Sequence, residues 1–545
     1  MLLRKLDSLF LSRIDSNLRK IKLANLHVLI VSSVHNVQHA PAPSLRVKPA
    51  MTKVDLYCET MLGTRLGKAV NIVVLTWDLF KTASNEYEQS LTEPFKQENG
   101  IFYTDIILAE KIINDLLKPD KTAIILDPCC GTGNFLFAAK KHGYDNIYGI
   151  DCDNNAIEFC RKNIPGGTFL AADFIGQLSG KTAKDLGLED KADVIIGNPP
   201  YVPIAGKVTL NTAETDYWLK RRVFNSGKNL FIAALIRSFD FLKDGGLLSY
   251  IIPKNFLHVS SYSSLRRELL AEKTIVSIVD LGAYFRHVRG EQIILTIKNS
   301  PPAKNSEINI KKLSNNCFVK MTSILQSFYT DDIVLFNCND DFDVFNTLSK
   351  SYSRLNDLTD GYVGRGKSTA PDSISGKDIR KFGYKVRELP QNGSRIFIQN
   401  IYSAESGIIA AFGGELEASQ TVTIFTDGNE KMCRYILGIL HSRLCNFFLY
   451  KYCYNYSRLT MHTDAKYLKK IPLPPQEGGI FSKFDDILAV VAVLENDEYM
   501  SKDWFANIEK LNTIVYEAYG INDKQAKYID SETQSFQSKR WNRYE

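Results

Sequence analysis

Residues 193–202, DVIIGNPPYV, place chemically capable side chains at the end of an apolar run. Val194, Ile195 and Ile196, followed by Gly197 and two prolines, read as a buried parallel strand that stops abruptly. Each proline fixes its own φ and lacks an N–H. Each also drives the residue before it out of the helical region. Asn198 is therefore expected to be extended, its amide presented at a strand's carboxyl end, where open α/β sheets bind ligands. Tyr201 adds an exposed phenol to that edge. The same letters also occur in plain strand-to-loop turns, so the rest of the chain decides whether they do chemistry.

The elements that must position them lie upstream, in TAIILDPCCGTGNFLFAAKKHGYDNIYGIDCDNNAIEFCRKN. The pattern predicts a strand over 122–127, a glycine turn, a helix from Asn134 to Lys141, a strand over 147–150 and a helix from Asn154 to Lys162. Gly131 and Gly133 let the backbone approach a ligand at a helix N-terminus. Asp151 ends the second strand, where a carboxylate takes ribose hydroxyls. TFLAADF gives a third strand end, with Asp173 and Phe174 suited to an adenine. Neither a full GxGxxG fingerprint nor GxxxxGK[ST] is present. A nucleoside without a polyphosphate fits better, and S-adenosylmethionine is the leading candidate.

At 545 residues the chain is expected to hold two or more domains. An apolar content of 44% and a charged content of 23% are those of a soluble globular protein, and the net charge of +6 leans mildly towards polyanions. No apolar stretch reaches the length of a membrane span. The ten cysteines make no CxxC pair, which argues against a zinc site and for free thiols in a reducing cytoplasm, bacterial or archaeal. Residues 1–50 have no clear periodicity and hold three of the eight histidines. They read as a foreign or disordered extension, with Met51 as the expected native start.

DPCCGTGNFL followed by NPPY resembles the gamma-class adenine-N6 DNA methyltransferases of restriction–modification systems, of the Taq type with a C-terminal specificity domain. NGIFYTD (99–105), GGLLSYIIPKNFL (245–257) and GAYFRHVRGEQIILTIKN (282–299) are similar to further segments of that class, in the same order. The likeness covers roughly residues 95–475. It implies an S-adenosylmethionine-dependent methyltransferase fold, with a doubly wound, mostly parallel seven-stranded sheet, plus a mixed α/β target-recognition domain. It also implies methyl transfer to the N6 amine of an adenine flipped out of double-stranded DNA. The Asn198 side-chain oxygen and the Pro199 carbonyl would accept the two amine hydrogens, localising a lone pair otherwise delocalised into the ring. Tyr201 would stack on one face of the base and Phe285 on the other. Tyr103, Thr104, Asp127, Gly131, Gly133, Asp151, Asp173 and Phe174 would hold the cofactor, and no metal is implied. Two positions depart from the family: Asp105, where proline is usual, and Asn229, where an acid is common. Pro128-Cys129 has the letters of a cytosine-C5 nucleophile but lies in the cofactor loop, and it is read as packing.

The division expected is a catalytic domain over 51–300, recognition over 301–480 and a helical tail over 481–545, with the polar link NSPPAKNSE at the first boundary. Residues 431–470 carry eight Lys/Arg against one acid, interleaved with Phe447, Phe448 and tyrosines 450, 452, 454 and 456. That pattern suits a nucleic-acid surface, with Arg443, Lys451, Arg458 and Lys466 as contacts. The weighed alternative is a tyrosine-rich core with a solvated basic face. The long polar loop after NPPY adds Lys207, Lys220, Arg221 and Arg222. A cognate endonuclease is expected as a separate protein. Alternative readings are methyl transfer to an RNA adenine or a protein glutamine amide, or a catalytically dead DNA-binding subunit.

Overall fold

Apolar runs of Ile, Leu and Val become the central strands of a nine-stranded sheet in the computed structural model. The structure describes residues 77–541, except 118–119, 177–180, 189, 205–227, 286–289, 350–352, 356–362, 386, 391, 428, 458, 460 and 478–479. The 1–50 extension, Met51, the loop lysines and arginines at 207 and 220–222, and Arg458 lie outside the described residues.

Strands β1 (Ile125–Asp127), β2 (Ile147–Asp151), β3 (Thr168–Ala171), β4 (Ala192–Gly197), β5 (Leu242–Pro253), β6 (Thr274–Gly282), β7 (Gln292–Lys298), β8 (Glu307–Ser314) and β9 (Cys317–Leu325) are ordered β3-β2-β1-β4-β5-β7-β6-β8-β9. The first five run parallel, while β7 lies antiparallel between β5 and β6. Helices α1 (Trp77–Ser90), α2 (Glu93–Asn99), α3 (Ile106–Lys111), α4 (Asn134–Lys141), α5 (Asn154–Asn163), α6 (Leu230–Phe241) and α7 (Ser263–Glu272) accompany the sheet. Alternate side chains feed opposite faces, as a strand's period of two requires. Ile125, Ile147, Val194 and Ile196 pack with α4 and α5. Leu126, Ile150, Ile195 and Leu248 pack with α6, which is buried along nearly its whole length. The predicted βαβα unit is present, with both helices starting at the expected asparagines.

The sheet has nine strands rather than seven, and it does not end at residue 300. The Pro-containing link there is a connection inside one sheet, because β8 pairs in parallel with β6 and β9 folds back on β8. Asn315 and Asn316 both take positive φ between the paired ends Ser314 and Cys317. That is the tight two-residue turn whose twist matches flanking strands.

Beyond β9, helix α8 (Asn339–Ser349) precedes a four-stranded antiparallel sheet. Its strands are β10 (Val363–Arg365), β11 (Arg395–Gln399), β12 (Ala410–Phe412) and β13 (Val422–Thr426), in the order β10-β13-β11-β12. Helices α9 (Glu430–His441), α10 (Arg443–Phe448), α11 (Phe484–Asn496), α12 (Lys502–Ala518) and α13 (Asp523–Trp541) follow. The last three were expected as a tail. Instead Ile487, Val491, Leu511 and Val515 are buried in the same apolar cluster as Ile436 and Leu440 of α9. No helix among the described residues is long and apolar enough to cross a membrane.

Candidate active site

At the carboxyl edge of β4, the Asn198 Nδ2 donates to the Phe102 carbonyl at 2.8 Å. That bond fixes which way the amide faces. Oδ1 is turned to the other side, where it accepts from the Tyr201 hydroxyl. The same hydroxyl is 3.0 Å from the Ile251 carbonyl of β5. Tyr201 is therefore half-buried rather than exposed, its ring 6.1 Å from Phe102 in a stacked arrangement and edge-on to Phe231. Pro199 is buried beside them. The NGIFYTD segment runs against this loop so closely that a Cβ on Gly100 would lie 2.9 Å from the Val202 side chain.

The glycine loop sits one strand away, after β1. Gly131 has φ +51°, and a Cβ there would come within 2.7 Å of the Tyr103 ring. The Gly131 N–H donates to Asp151 Oδ2 at 2.7 Å, and Asp153 N–H donates to the other oxygen at 2.9 Å. Burial raises the Asp151 carboxyl above the usual carboxylate range. Each carboxylate oxygen keeps a second lone pair for a hydroxyl donor. Asp127 is fully buried, accepts from Cys129 N–H at 3.1 Å, and leaves Oδ2 without a partner among the described residues. Burial pushes its carboxyl well above its ordinary value. The Thr104 hydroxyl is likewise buried and unpartnered. Orphaned buried polar atoms demand an explanation, and a polar or cationic ligand supplies one. Asp127, Thr104, Asp151 and the cradle at Gly131 therefore fit S-adenosylmethionine, which carries ribose hydroxyls and positive charge.

Two anchors were not visible in the sequence reading. Tyr87 of α1 donates to Asp153 at 2.5 Å and stands edge-on to Tyr103. Ser84 joins Thr132 at 2.7 Å and Asn134 at 3.0 Å, while Asn134 donates to the Thr104 carbonyl at 2.7 Å. Phe102 was missed because it acts through a backbone carbonyl, which no side-chain type reveals. The two departures have local reasons. Asp105 caps α3 by accepting from Ile107 N–H, and Asn229 caps α6 by accepting from Phe231 N–H.

Other expected residues are placed differently. Asp173 is half-buried at the end of the third strand. Phe174 faces inward, 5.3 Å from the Phe241 ring and beneath the Arg237 guanidinium, so its ring is a core group in this conformation. Burial pushes the Cys129 thiol well above its ordinary value. Phe285 is half-buried beside Tyr284, ring centroids 5.3 Å apart. Burial pushes the Tyr284 hydroxyl up to about 12, and the Asp105 carboxylate adds to that shift.

The basic, aromatic stretch is corrected most. Phe447, Phe448, Tyr452 and Tyr454 are buried, so the aromatics form core rather than a nucleic-acid surface. Lys451 is 0% exposed. Its ammonium meets Asp341 at 2.6 Å, Glu532 at 2.7 Å and the Tyr528 hydroxyl at 2.8 Å, so it is spent inside the protein. Arg443 is held by Asp530 at 2.7 Å and by Glu509. Lys466 stands over the Tyr467 ring, its ammonium 4.6 Å from the centroid.

The sheet order and the glycine loop are those of an α/β methyltransferase-like fold, and the sequence comparisons give its kin. The profile of the Eco57I restriction-modification methylase matches residues 169–285, and that of ribosomal protein L11 methyltransferase (PrmA) matches 107–202. The chain is 32% identical over 237 residues to Type II methyltransferase M.VspI of Vibrio sp. (strain 343), covering 43% of this chain and 56% of that one. It is 30% identical over 310 residues to Type II methyltransferase M.BanIII of Aneurinibacillus aneurinilyticus, covering 51% and 50%. The chain thus spans about half the length of these curated relatives. In fold it is similar to the Type IIL restriction-modification enzyme MmeI, solved in complex with DNA, with a TM-score of 0.54 at 13% identity over 84% of this chain and 82% of that one. The chain is a relative of restriction–modification methyltransferases.

Proposed function

We propose that the protein transfers a methyl group from S-adenosylmethionine to the N6 amine of an adenine flipped from double-stranded DNA. In this reading it is the modification half of a restriction–modification system, and the endonuclease is a separate chain. The observation that carries the reading is the bond from Asn198 Nδ2 to the Phe102 carbonyl. With Nδ2 turned to that carbonyl, Asn198 presents its acceptor Oδ1 on the opposite side, towards the incoming amine. Such preorganised acceptors stabilise charge as it develops without reorganising at the moment of reaction.

S-adenosylmethionine supplies an electrophilic methyl group when bound. Asp151 and Asp127 would hold its hydroxyl and cationic parts, with Tyr103, Thr104, Gly131, Gly133 and Asp173 lining the cradle. Asn198 Oδ1 and the Pro199 carbonyl would accept the two amine hydrogens, drawing the lone pair out of the ring. The amine displaces the Tyr201 hydroxyl from Asn198, and the Ile251 carbonyl stands ready to receive that hydroxyl. Tyr201 and Phe285 would then stack the base. Lys207, Lys220, Arg221, Arg222, Arg458 and Lys466 are proposed to meet the DNA backbone. The target-recognition part would begin after β9 rather than at 301.

The test is single-molecule sequencing of plasmid DNA from a host expressing the full chain. N6-methyladenine at one short motif is expected. In an Asn198→Ala host it is expected to vanish, with kcat lowered by roughly 100-fold or more while S-adenosylmethionine still binds. Unmodified adenine beside cofactor-binding wild-type protein would transfer the reading to an RNA or protein acceptor.

A further inference from the structure

We propose that Gln292, together with Lys254 set between Asp280 and Glu291, is a positioning clamp for the turn that carries Phe285, and so sets the second stacking ring against the target base. The proposal rests on the adenine-methyltransferase reading above. Gln292 is separate from the NPPY residues, on β7, two strands from β4 across β5.

Strand β7 is antiparallel to both β5 and β6. Strand β6 therefore ends, and β7 begins, at the edge of the sheet where β4 and β5 end. Gln292 is the residue at which the three strands meet, paired with Pro253 on one side and Gly282 on the other. Its side chain is 1% exposed and grips both described ends of the connection. Oε1 accepts from Tyr284 N–H at 3.2 Å, and Nε2 donates to the Gly290 carbonyl at 2.9 Å.

A second set of bonds holds the same two ends to β5. Asp280 accepts from Gly282 N–H at 2.9 Å with one oxygen and from the Lys254 ammonium at 2.8 Å with the other. Lys254 also lies 3.3 Å from the Glu291 carboxylate, and its N–H donates to the Glu291 carbonyl at 2.8 Å. Lys254 and Glu291 are both buried. An ammonium buried with two carboxylates is costly to desolvate, and apolar residues often stabilise as well or better. What the ion group adds here is geometry. It joins the entry and the exit of the Phe285 turn to the end of the strand whose Ile251 carbonyl receives the Tyr201 hydroxyl. Both candidate stacking rings are thus referred to one strand, β5. Misplacing a reacting base by an ångström costs orders of magnitude in rate, and a turn fixed at both ends avoids that.

The test compares the full-length wild type with Gln292→Met and Gln292→Glu, using duplexes that carry the motif found by sequencing. Gln292→Met is expected to speed amide exchange in the peptide containing Tyr284 by roughly tenfold or more. It is expected to lower kcat by roughly ten- to 100-fold, leaving KM for S-adenosylmethionine unchanged. Gln292→Glu keeps the acceptor for Tyr284 and loses the donor to Gly290; it should fall between, and it serves as the probe if Gln292→Met folds poorly. The double variant Phe285→Ala/Gln292→Met should be no slower than Phe285→Ala alone, because the clamp acts through that ring. Additive losses, or a Gln292→Met enzyme with full rate and unchanged exchange, would overturn the proposal. A wild type that methylates no adenine would instead overturn the functional reading beneath it.

Discussion

His258 shows how much one buried side chain can tie to pH. It is 4% exposed, both ring nitrogens lack a hydrogen-bond partner among the described residues, and its ring lies edge-on to Tyr467 at 6.0 Å. Burial first, then Lys466, Lys470, Arg266 and Lys254, lower its pKa from 6.5 to about 3. The folded ring stays neutral where the unfolded ring gains a proton. The unfolded chain therefore binds more protons between pH 6.5 and pH 3, and stability falls as pH falls through that window. The slope from this residue is roughly 1 kcal/mol per pH unit, and its contribution is fully present above pH 6.5. Urea midpoints followed from pH 7 to pH 4 should drop less steeply for His258→Gln than for the wild type; parallel curves would mean that the ring is protonated in the folded chain.

At the scale of elements, the glycine turn between β1 and α4 leaves little room for a side chain. Gly131 takes φ +51° beneath the Tyr103 ring, and its N–H holds Asp151. Gly131→Ala brings a Cβ to 2.7 Å from that ring and strains the backbone at once. The turn must shift, and Asp151 loses its fixed orientation. S-adenosylmethionine affinity measured by calorimetry should fall roughly tenfold or more, the equivalent of one such strain. Circular dichroism should change little, because α4 and α5 are anchored by their own buried faces.

Across the whole molecule, the C-terminal helices are joined to the region before the second sheet by charge as well as by apolar packing. Lys451 follows α10, Asp341 lies in α8 and Glu532 lies in α13, so three distant parts of the chain meet at one ammonium. Lys451→Met leaves Asp341 buried without its cation. The expected loss is roughly 3–5 kcal/mol of unfolding free energy, read from the urea midpoint. The salt dependence of DNA binding by the folded variant should match the wild type, since a phosphate-contacting lysine would take about one unit of slope with it. A reduced slope would return Lys451 to the DNA-binding surface.

Local chemistry wrote much of this protein directly into its sequence. The β1-α4-β2-α5 unit, its glycine turn and the strand that ends at Gly197, just before Asn198, were all legible, because apolar period, caps and breakers act over a few residues. Tertiary structure alone decided the rest. The basic, tyrosine-rich run carries the composition of a nucleic-acid surface, yet Lys451 and its aromatic neighbours are interior, because Asp341 and Glu532 lie far away in sequence and close in space. The Pro-rich link at 300 looked like a boundary, yet β8 returns beside β6 to extend the sheet. The carbonyls of Phe102 and Ile251 serve Asn198 and Tyr201, yet every residue type has a carbonyl, so composition gives no sign of them. Spacing along the chain fixes what a segment becomes; only the packed chain fixes what each polar atom finds as a partner.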